Sequence, residues 1–245
     1  MSYPKFPNKH LEKALFSPED FISYAKKSRV PKKIIITYPY TNLPYIAKKY
    51  GATRIDGGLI QKTYVTKKRD IGFVQMSGIG SPNAVTAVEE LIARGARTFL
   101  NIGTAGGLHT DGIFLCNKAL RDEGTSYHYL PKGHYVYPDE RLTGKFGKCI
   151  GRQGLEYEEG TTWTIDAPYR ETKAEIERYA KKGIKTVDME ASALFALAQF
   201  RKVKIASAFV VSDSLSKKWG PKFKKRQIKA MVNKLIDAGV ECLRS

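Results

Sequence analysis

Cysteine is scarce in this chain. There are three, Cys116, Cys149 and Cys242. They are odd in number, far apart, and none belongs to a Cys-x-x-Cys pair, which argues against a disulfide framework or a cysteine-held zinc and leaves reduced, structural thiols. The four histidines, His10, His109, His128 and His134, include no His-x-x-x-His spacing, so no metal site is expected. No apolar run approaches the ~20 residues that span a bilayer. Residues Met1 to Phe21 lack the long apolar stretch of a secretory signal. A cytoplasmic protein with no membrane partner is the expectation. Acidic residues are the other shortage: 24 against 42 basic ones, a net charge of +18.

That excess comes in runs, Lys26 to Lys33, Lys62 to Arg69 and Lys217 to Lys229. The runs are dispersed, and no helix-turn-helix, aromatic RNA-binding motif or zinc finger accompanies them. A self-repelling surface that attracts small anions is favoured over nucleic-acid binding. What is plentiful is apolar residues, 42% of 245, enough for a substantial core in a single domain spanning residues 1–245.

Lys32–Thr37 contains Ile34, Ile35 and Ile36 and predicts a buried strand. Leu43–Tyr50 predicts a short helix stopped by Gly51. Ile71–Met76 predicts the next strand. Ser81 followed by Pro82 predicts an N-cap and a first helical residue, with the helix ended by Gly95. Thr98–Ile102 predicts a strand, and Gly103–Gly107 a glycine-rich turn after it. Ile113 to Thr164 reads as short strand-like pieces and turns. Glu171–Lys182, Glu190–Phe200 and Phe223–Leu243 predict helices, and Ile205–Val211 a strand between the last two. Strands and helices in alternation predict a three-layer α/β fold.

Four stretches carry possible chemistry. Ser77-Gly78-Ile79-Gly80-Ser81-Pro82 lies between strand and helix, where backbone N–H groups and a helix start favour an anion; it is equally a tight turn. Asn101-Ile102-Gly103-Thr104-Ala105-Gly106-Gly107 follows a strand, where α/β sheets present ligand sites; it is neither a Walker A loop nor a dinucleotide fingerprint. Val187-Asp188-Met189-Glu190-Ala191 brackets a methionine with two carboxylates at a helix start. These either complement the helix dipole or reach the vicinal hydroxyls of a sugar. Val210-Val211-Ser212-Asp213 ends a buried strand with an acid that either caps a turn or protonates a leaving group.

Taken in order and spacing, these stretches resemble the nucleoside phosphorylase family, which includes uridine phosphorylase, hexameric purine nucleoside phosphorylase and the adenosylhomocysteine-type nucleosidases. The segment from Gly78-Ile79-Gly80 through Ala87-Val88-Glu89-Glu90-Leu91 to Arg97-Thr98-Phe99-Leu100 is similar to uridine phosphorylases. Asp188-Met189-Glu190-Ala191 is similar to the family's ribose motif. The resemblance implies a central mixed, partly barrel-like β-sheet flanked by helices. It implies a homo-oligomer, a dimer or a hexamer of dimers. It implies glycosidic cleavage of a nucleoside by phosphate as co-substrate, with no other cofactor, giving base and ribose 1-phosphate.

The same resemblance implies roles. Glu190, Met189, Thr104 and His10 would bind ribose. Pro168, Tyr169, Arg170 and Gly106 would border the base, with Trp163 in the same segment read as a core aromatic. Gly80, Thr104 and Lys62 would bind phosphate. Asp213 would protonate the base, and the Ser212-Asp213 pair favours a purine over uridine. Arg226, 13 residues on, matches the arginine that partners this acid in hexameric purine enzymes. A close arginine would depress the Asp213 pKa and oppose protonation unless burial or the base offsets it, and Arg226 is equally one more charge on a basic helix.

The chain departs from the family where phosphate binds. Thr37-Tyr38-Pro39-Tyr40-Thr41-Asn42 replaces a Gly-Asp-Pro-x-Arg loop, and Asn101 replaces an arginine. Each lost hydrogen bond to a charged group is worth ~1.5–3 kcal/mol. Lysines as substitutes, water as the nucleophile, and a non-catalytic nucleoside-binding protein therefore stay open. No glutamate in Ile34 to Asn42 stands ready to activate water.

Overall fold

The computed structural model describes residues 6, 8–39, 41–56, 61–215, 219–221 and 224–245. Its strands are β1 (Lys33–Thr37), β2 (Ala52–Ile55), β3 (Gln61–Thr66), β4 (Ile71–Met76), β5 (Thr98–Gly107), β6 (Ile113–Asp122), β7 (Tyr135–Val136), β8 (Tyr157–Ile165), β9 (Ile184–Asp188), β10 (Lys204–Ser214) and β11 (Gly220–Pro221). Its helices are α1 (Pro18–Tyr24), α2 (Leu43–Tyr50), α3 (Ser81–Ala93), α4 (Glu140–Arg152), α5 (Lys173–Lys181), α6 (Ala191–Arg201) and α7 (Lys225–Arg244).

Strands buried on both faces explain the three layers. Successive side chains of a strand point to opposite faces. Ile34 and Ile36 enter one core with Val74, Phe99, Phe209 and the apolar faces of α3 and α6. Ile35 enters a second core with Phe73, Leu100, Ala208 and the apolar faces of α4 and α7. The same alternation along β4, β5 and β10 makes one mixed sheet with helices on either side.

The sheet closes on itself at one end. β5 pairs with β10, β10 with β6, β6 with β8, β8 with β9, and β9 returns to β5. These five strands form the barrel-like part of the sheet. β1, β4, β3 and β2 extend it from the N-terminal half of β5, on the edge that β9 pairs at Gly106 and Gly107. Trp163 lies at 0% exposure in a third, smaller core with Leu120 and Val187, and its Nε1 donates to Asp122 Oδ2 at 2.8 Å. It is a core aromatic.

Helix ends follow ordinary capping chemistry. Asn42 caps α2, and Gly51 stops it at φ 58°, a left-handed conformation that glycine adopts without steric cost. Thr172 and Glu175 form a reciprocal capping box at the start of α5.

Three expectations are corrected. Ser81 is not the N-cap of α3; Gly80 is, at φ 100°, and the Ser81 hydroxyl instead donates to the Met189 carbonyl at 2.7 Å. Gly103–Gly107 is not a turn but the end of β5. Its glycines are required by crowding: a Cβ on Gly107 would lie 2.4 Å from the Thr110 carbonyl and 2.8 Å from Val211. The region from Ile113 to Thr164 contains a full helix, α4. Its three glycines lower helix propensity, but Asp139 caps it at Leu142 N–H and Leu142, Phe146, Cys149 and Ile150 bury one face. Phe223, expected to begin the last helix, lies outside the described residues.

Candidate active site

The C-terminal ends of β5, β9 and β10 and the segment after β1 enclose a cleft of about 270 Å³. Gly103 to Gly106 of β5 form its floor. The bare backbone lets neighbours come close: a Cβ on Gly103 would sit 3.0 Å from the Tyr38 ring, and one on Gly106 would sit 3.0 Å from both Val187 and Leu215.

One wall is the junction of β9 and α6. Asp188 ends β9 and Glu190 is the N-cap of α6. Asp188 Oδ2 accepts the N–H groups of Glu190 at 2.8 Å and Ala191 at 2.6 Å. Its Oδ1 accepts the hydroxyls of Thr164 at 2.8 Å and Thr162 at 3.2 Å. Burial nevertheless holds the Asp188 carboxyl above its usual value, outweighing these bonds. Glu190 Oε1 accepts the N–H of Gly80 at 2.5 Å. Burial, reinforced by the neighbouring Asp188 charge, pushes the Glu190 carboxyl up to about 8. The glycine-rich segment after β4 is thus tied to the α6 N-cap through both Gly80 and Ser81.

Tyr38 closes the wall beside it. Its hydroxyl donates to Asn101 Oδ1 at 2.9 Å, and Asn101 Nδ2 donates to Ser207 Oγ at 3.1 Å. The Asn101 amide is fully buried and committed to these partners. Burial and the charges of Glu190 and Asp188 hold the Tyr38 phenol well above its usual range, so it stays neutral.

The opposite end is built on an irregularity. The pairing of β10 with β5 slips between Val211 and Asp213, leaving Ser212 as the extra residue of a bulge, a device that re-aims side chains beside functional sites. Asp213 lines the cleft. Its Oδ1 accepts the Ser212 hydroxyl at 2.7 Å and its Oδ2 the Trp219 indole N–H at 3.0 Å. Pro168 and Glu171 line the same cleft. Burial, then the charges of Asp213 and Glu175, push the Glu171 carboxyl up to about 7.

Of the residues singled out in the sequence, Thr104, Gly106, Pro168, Met189, Glu190 and Asp213 line this cleft, and Gly80 borders it through its bond to Glu190. His10, Lys62, Tyr169, Arg170 and Arg226 do not. Tyr169 is 99% exposed, because it lies in a short 3-10 turn whose Pro168 faces the cleft instead. Lys62 is exposed on β3, Arg226 is exposed in the first turn of α7, and His10 lies in a 3-10 turn near the N-terminus.

Sequence reasoning passed over Tyr38, Glu171 and Trp219 as site residues. Glu171 reads in the sequence as the start of a helix. Trp219 carries a usable signal, a tryptophan inside a lysine-rich stretch six residues after Asp213. Among the described residues the ionisable side chains lining the cleft are Tyr38 and the four carboxyls of Glu171, Asp188, Glu190 and Asp213, with no lysine or arginine. No cluster of metal-ligating residues occurs among the described residues, and no described helix is long and apolar enough to cross a membrane.

Comparison with known proteins places this architecture. The family model described as the phosphorylase superfamily matches residues 28–243. A guanosine phosphorylase of Halorubrum lacusprofundi is 31% identical over 144 residues, 57% of this chain and 59% of that protein. The chain therefore matches about three-fifths of that relative's length. A DeoD-type purine nucleoside phosphorylase of Geobacillus sp. is 26% identical over 232 residues, 89% of this chain and 95% of that one. In fold, the crystal structure of an AMP nucleosidase from Bacteroides thetaiotaomicron superposes with a TM-score of 0.74 at 19% identity, covering 94% of this chain and 97% of that one. With a matching family model across most of its length and a barrel-closed mixed sheet holding the cleft, the chain belongs to the phosphorylase superfamily.

Proposed function

We propose that this protein cleaves the N-glycosidic bond of a purine nucleoside. The observation that carries the proposal is the pairing, in one cleft, of the Met189–Glu190 wall with Asp213 at the other end, the Thr104–Gly106 floor between them. Glu190 accepts hydrogen bonds from the ribose 2′- and 3′-hydroxyls, and Met189 packs against the sugar. The C1′–N9 bond breaks with its electron pair passing to the base, and a proton donated at the Asp213 end neutralises N7. The ring left behind carries positive charge, which carboxylates of the cleft in their ionised form favour.

The charge of the cleft bears on the nucleophile. Phosphate recognition calls for cations, best as bidentate arginines. Here the Asn101 amide is spent on Tyr38 and Ser207, the Gly80 N–H on Glu190, and no cation lines the cleft among the described residues. Water attacking C1′ and passing its proton to a carboxylate of the cleft, to release free ribose, fits that environment. Phosphorolysis is the second reading, favoured by the phosphorylase names of the relatives.

A product assay decides both points. Adenosine, inosine, guanosine and uridine are incubated with and without phosphate and the products separated. Base plus free ribose, independent of phosphate, supports hydrolysis. Ribose 1-phosphate formed only with phosphate replaces it with phosphorolysis. Binding without release of any base would leave a non-catalytic nucleoside-binding protein and end the enzymatic reading. Asp213→Asn is expected to lower kcat on purine nucleosides by at least about 100-fold, the usual size of a general-acid contribution, and to affect uridine less. Equal losses on both would remove Asp213 as the purine acid.

A further inference from the structure

The Asp213 carboxyl is held by a residue from outside the cleft. Its Oδ2 lies beside the cleft floor, 3.7 Å from where a Cβ on Gly106 would stand. The same oxygen accepts the Trp219 indole N–H at 3.0 Å, although Trp219 does not itself line the cleft. We infer that Trp219 is a positioning residue for proton transfer, which aims Asp213 Oδ2 at the base and stabilises the charge that forms there as the proton leaves. This inference rests on the reading of Asp213 as the proton donor to a purine.

The hairpin at the end of β10 puts the indole there. β11 runs antiparallel to β10 and pairs Pro221 with Asp213 and Gly220 with Ser214. Trp219 stands immediately before this pairing, which anchors it. Asp213 Oδ1 accepts the Ser212 hydroxyl at 2.7 Å. With a separate donor on each oxygen, the carboxyl cannot turn about its Cβ–Cγ bond without breaking one of these bonds. A carboxyl oxygen has two lone pairs. At Oδ2 one meets the indole N–H, and the other is left for the proton bound for N7. No lysine or arginine lines the cleft among the described residues, and Arg226 is exposed in the first turn of α7. Neutral donors therefore hold this acid.

The bond to Trp219 changes strength during the reaction. Before transfer, Oδ2 carries the proton and accepts from the indole as a neutral oxygen. The proton then passes to N7 while the C1′–N9 electron pair enters the base, and Oδ2 is left as a carboxylate oxygen. A hydrogen bond to an ionised acceptor is roughly twice as strong as a neutral one. An interaction that strengthens toward the transition state raises kcat, and one that touches neither sugar nor base leaves KM alone. Trp219 is 67% exposed, so replacing it should move the melting midpoint by no more than about 2 °C.

The test measures kcat and KM separately for adenosine, inosine and uridine in the wild type, Trp219→Phe and Trp219→Gln. Phenylalanine keeps a ring and lacks the donor; glutamine lacks the ring and keeps an N–H donor. Trp219→Phe is expected to lower kcat on purine nucleosides about tenfold, with a smaller loss on uridine, because a misaimed catalytic group costs rate. KM should stay within about twofold, and Trp219→Gln should recover part of the lost kcat. NMR of the ¹⁵N-labelled protein reads the contact without turnover. The chain has two tryptophans, Trp163 and Trp219, hence two indole N–H resonances. Asp213→Ala should shift the one that is missing from Trp219→Phe and leave that of Trp163, which is bonded to Asp122. An unmoved Trp219 resonance, wild-type kcat in Trp219→Phe, or a glutamine variant no faster than the phenylalanine one overturns the inference. Where Asp213→Asn is still impaired on purines, the proton-donor reading survives that failure. Where Asp213→Asn turns over purines like the wild type, or no nucleoside is cleaved at all, both fall.

Discussion

Glu190→Gln is expected to lose most of its turnover and yet melt at a higher temperature than the wild type at pH 8. The two effects have one cause. If Glu190 accepts two ribose hydroxyls as a carboxylate, removing its charge forfeits two charge-assisted bonds of ~1.5–3 kcal/mol each, roughly 10²–10⁴-fold in kcat/KM. In the ligand-free protein that same charge is a burden. Glu190 is 7% exposed, beside Asp188, and its carboxyl is pushed from 4.5 up to about 8. A carboxyl whose pKa is raised on folding binds more protons in the native state. Stability therefore declines as pH rises from about 4.5 through 8, and the glutamine variant escapes that decline. A midpoint higher by at least about 2 °C at pH 8, with little gain at pH 4.5, is the expected outcome; about 2–4 °C accompanies each kcal/mol in a chain of this size. Wild-type kcat/KM should also climb toward pH 8 as Glu190 ionises. Unchanged kinetics in the variant would remove the sugar assignment. An unchanged or lower midpoint would remove the electrostatic one.

Asp188→Ala is expected to fail in the opposite direction, losing stability and activity together. The Asp188 carboxyl accepts four hydrogen bonds, from the backbone of Glu190 and Ala191 and from Thr162 and Thr164. Alanine leaves four buried donors without that acceptor. Removing one partner of a buried charged network costs about 3–5 kcal/mol, which lowers the melting midpoint by roughly 10 °C. Activity falls as well, because two of those bonds hold the turn that aims Glu190. Asp188→Asn keeps one acceptor oxygen and should recover part of both losses. A midpoint within about 2 °C of the wild type in Asp188→Ala, measured by thermal melting at pH 7, would show that these bonds do not hold the junction.

The two carboxylates illustrate how differently neighbouring residues read in a sequence. Asp188-Met189-Glu190 stands out as a motif, and its position before an apolar helix is legible from Ala191 onward. That Asp188 also turns inward to the hydroxyls of Thr162 and Thr164 while Glu190 reaches Gly80 is not legible, since these partners lie 24 to 110 residues away along the chain. Gly103–Gly107 makes the same point from the other side. Glycine signals a place where a side chain does not fit, and a turn is the commonest reason. Here the reason is the approach of Tyr38, Val187 and Val211 to an extended strand, which no local signal reports.

Local pattern was enough wherever a single periodicity or cap decided the outcome. Ile34–Ile36 as a doubly buried strand, Leu43–Tyr50 ended by Gly51, and the alternation behind the layered sheet follow from the backbone preferences and hydrophobicity of neighbouring residues. So does the presence of Glu190 and Asp213 in stretches fit for chemistry. The closure of β5, β10, β6, β8 and β9 into a ring, the pairing slip that leaves Ser212 as a bulge beside Asp213, and the arrival of Glu171 and Trp219 at the same end of the cleft were decided by tertiary structure alone. Each depends on contacts between segments remote in sequence. Burial then sets the charge states of the carboxyls brought together there, a property that no residue carries by itself.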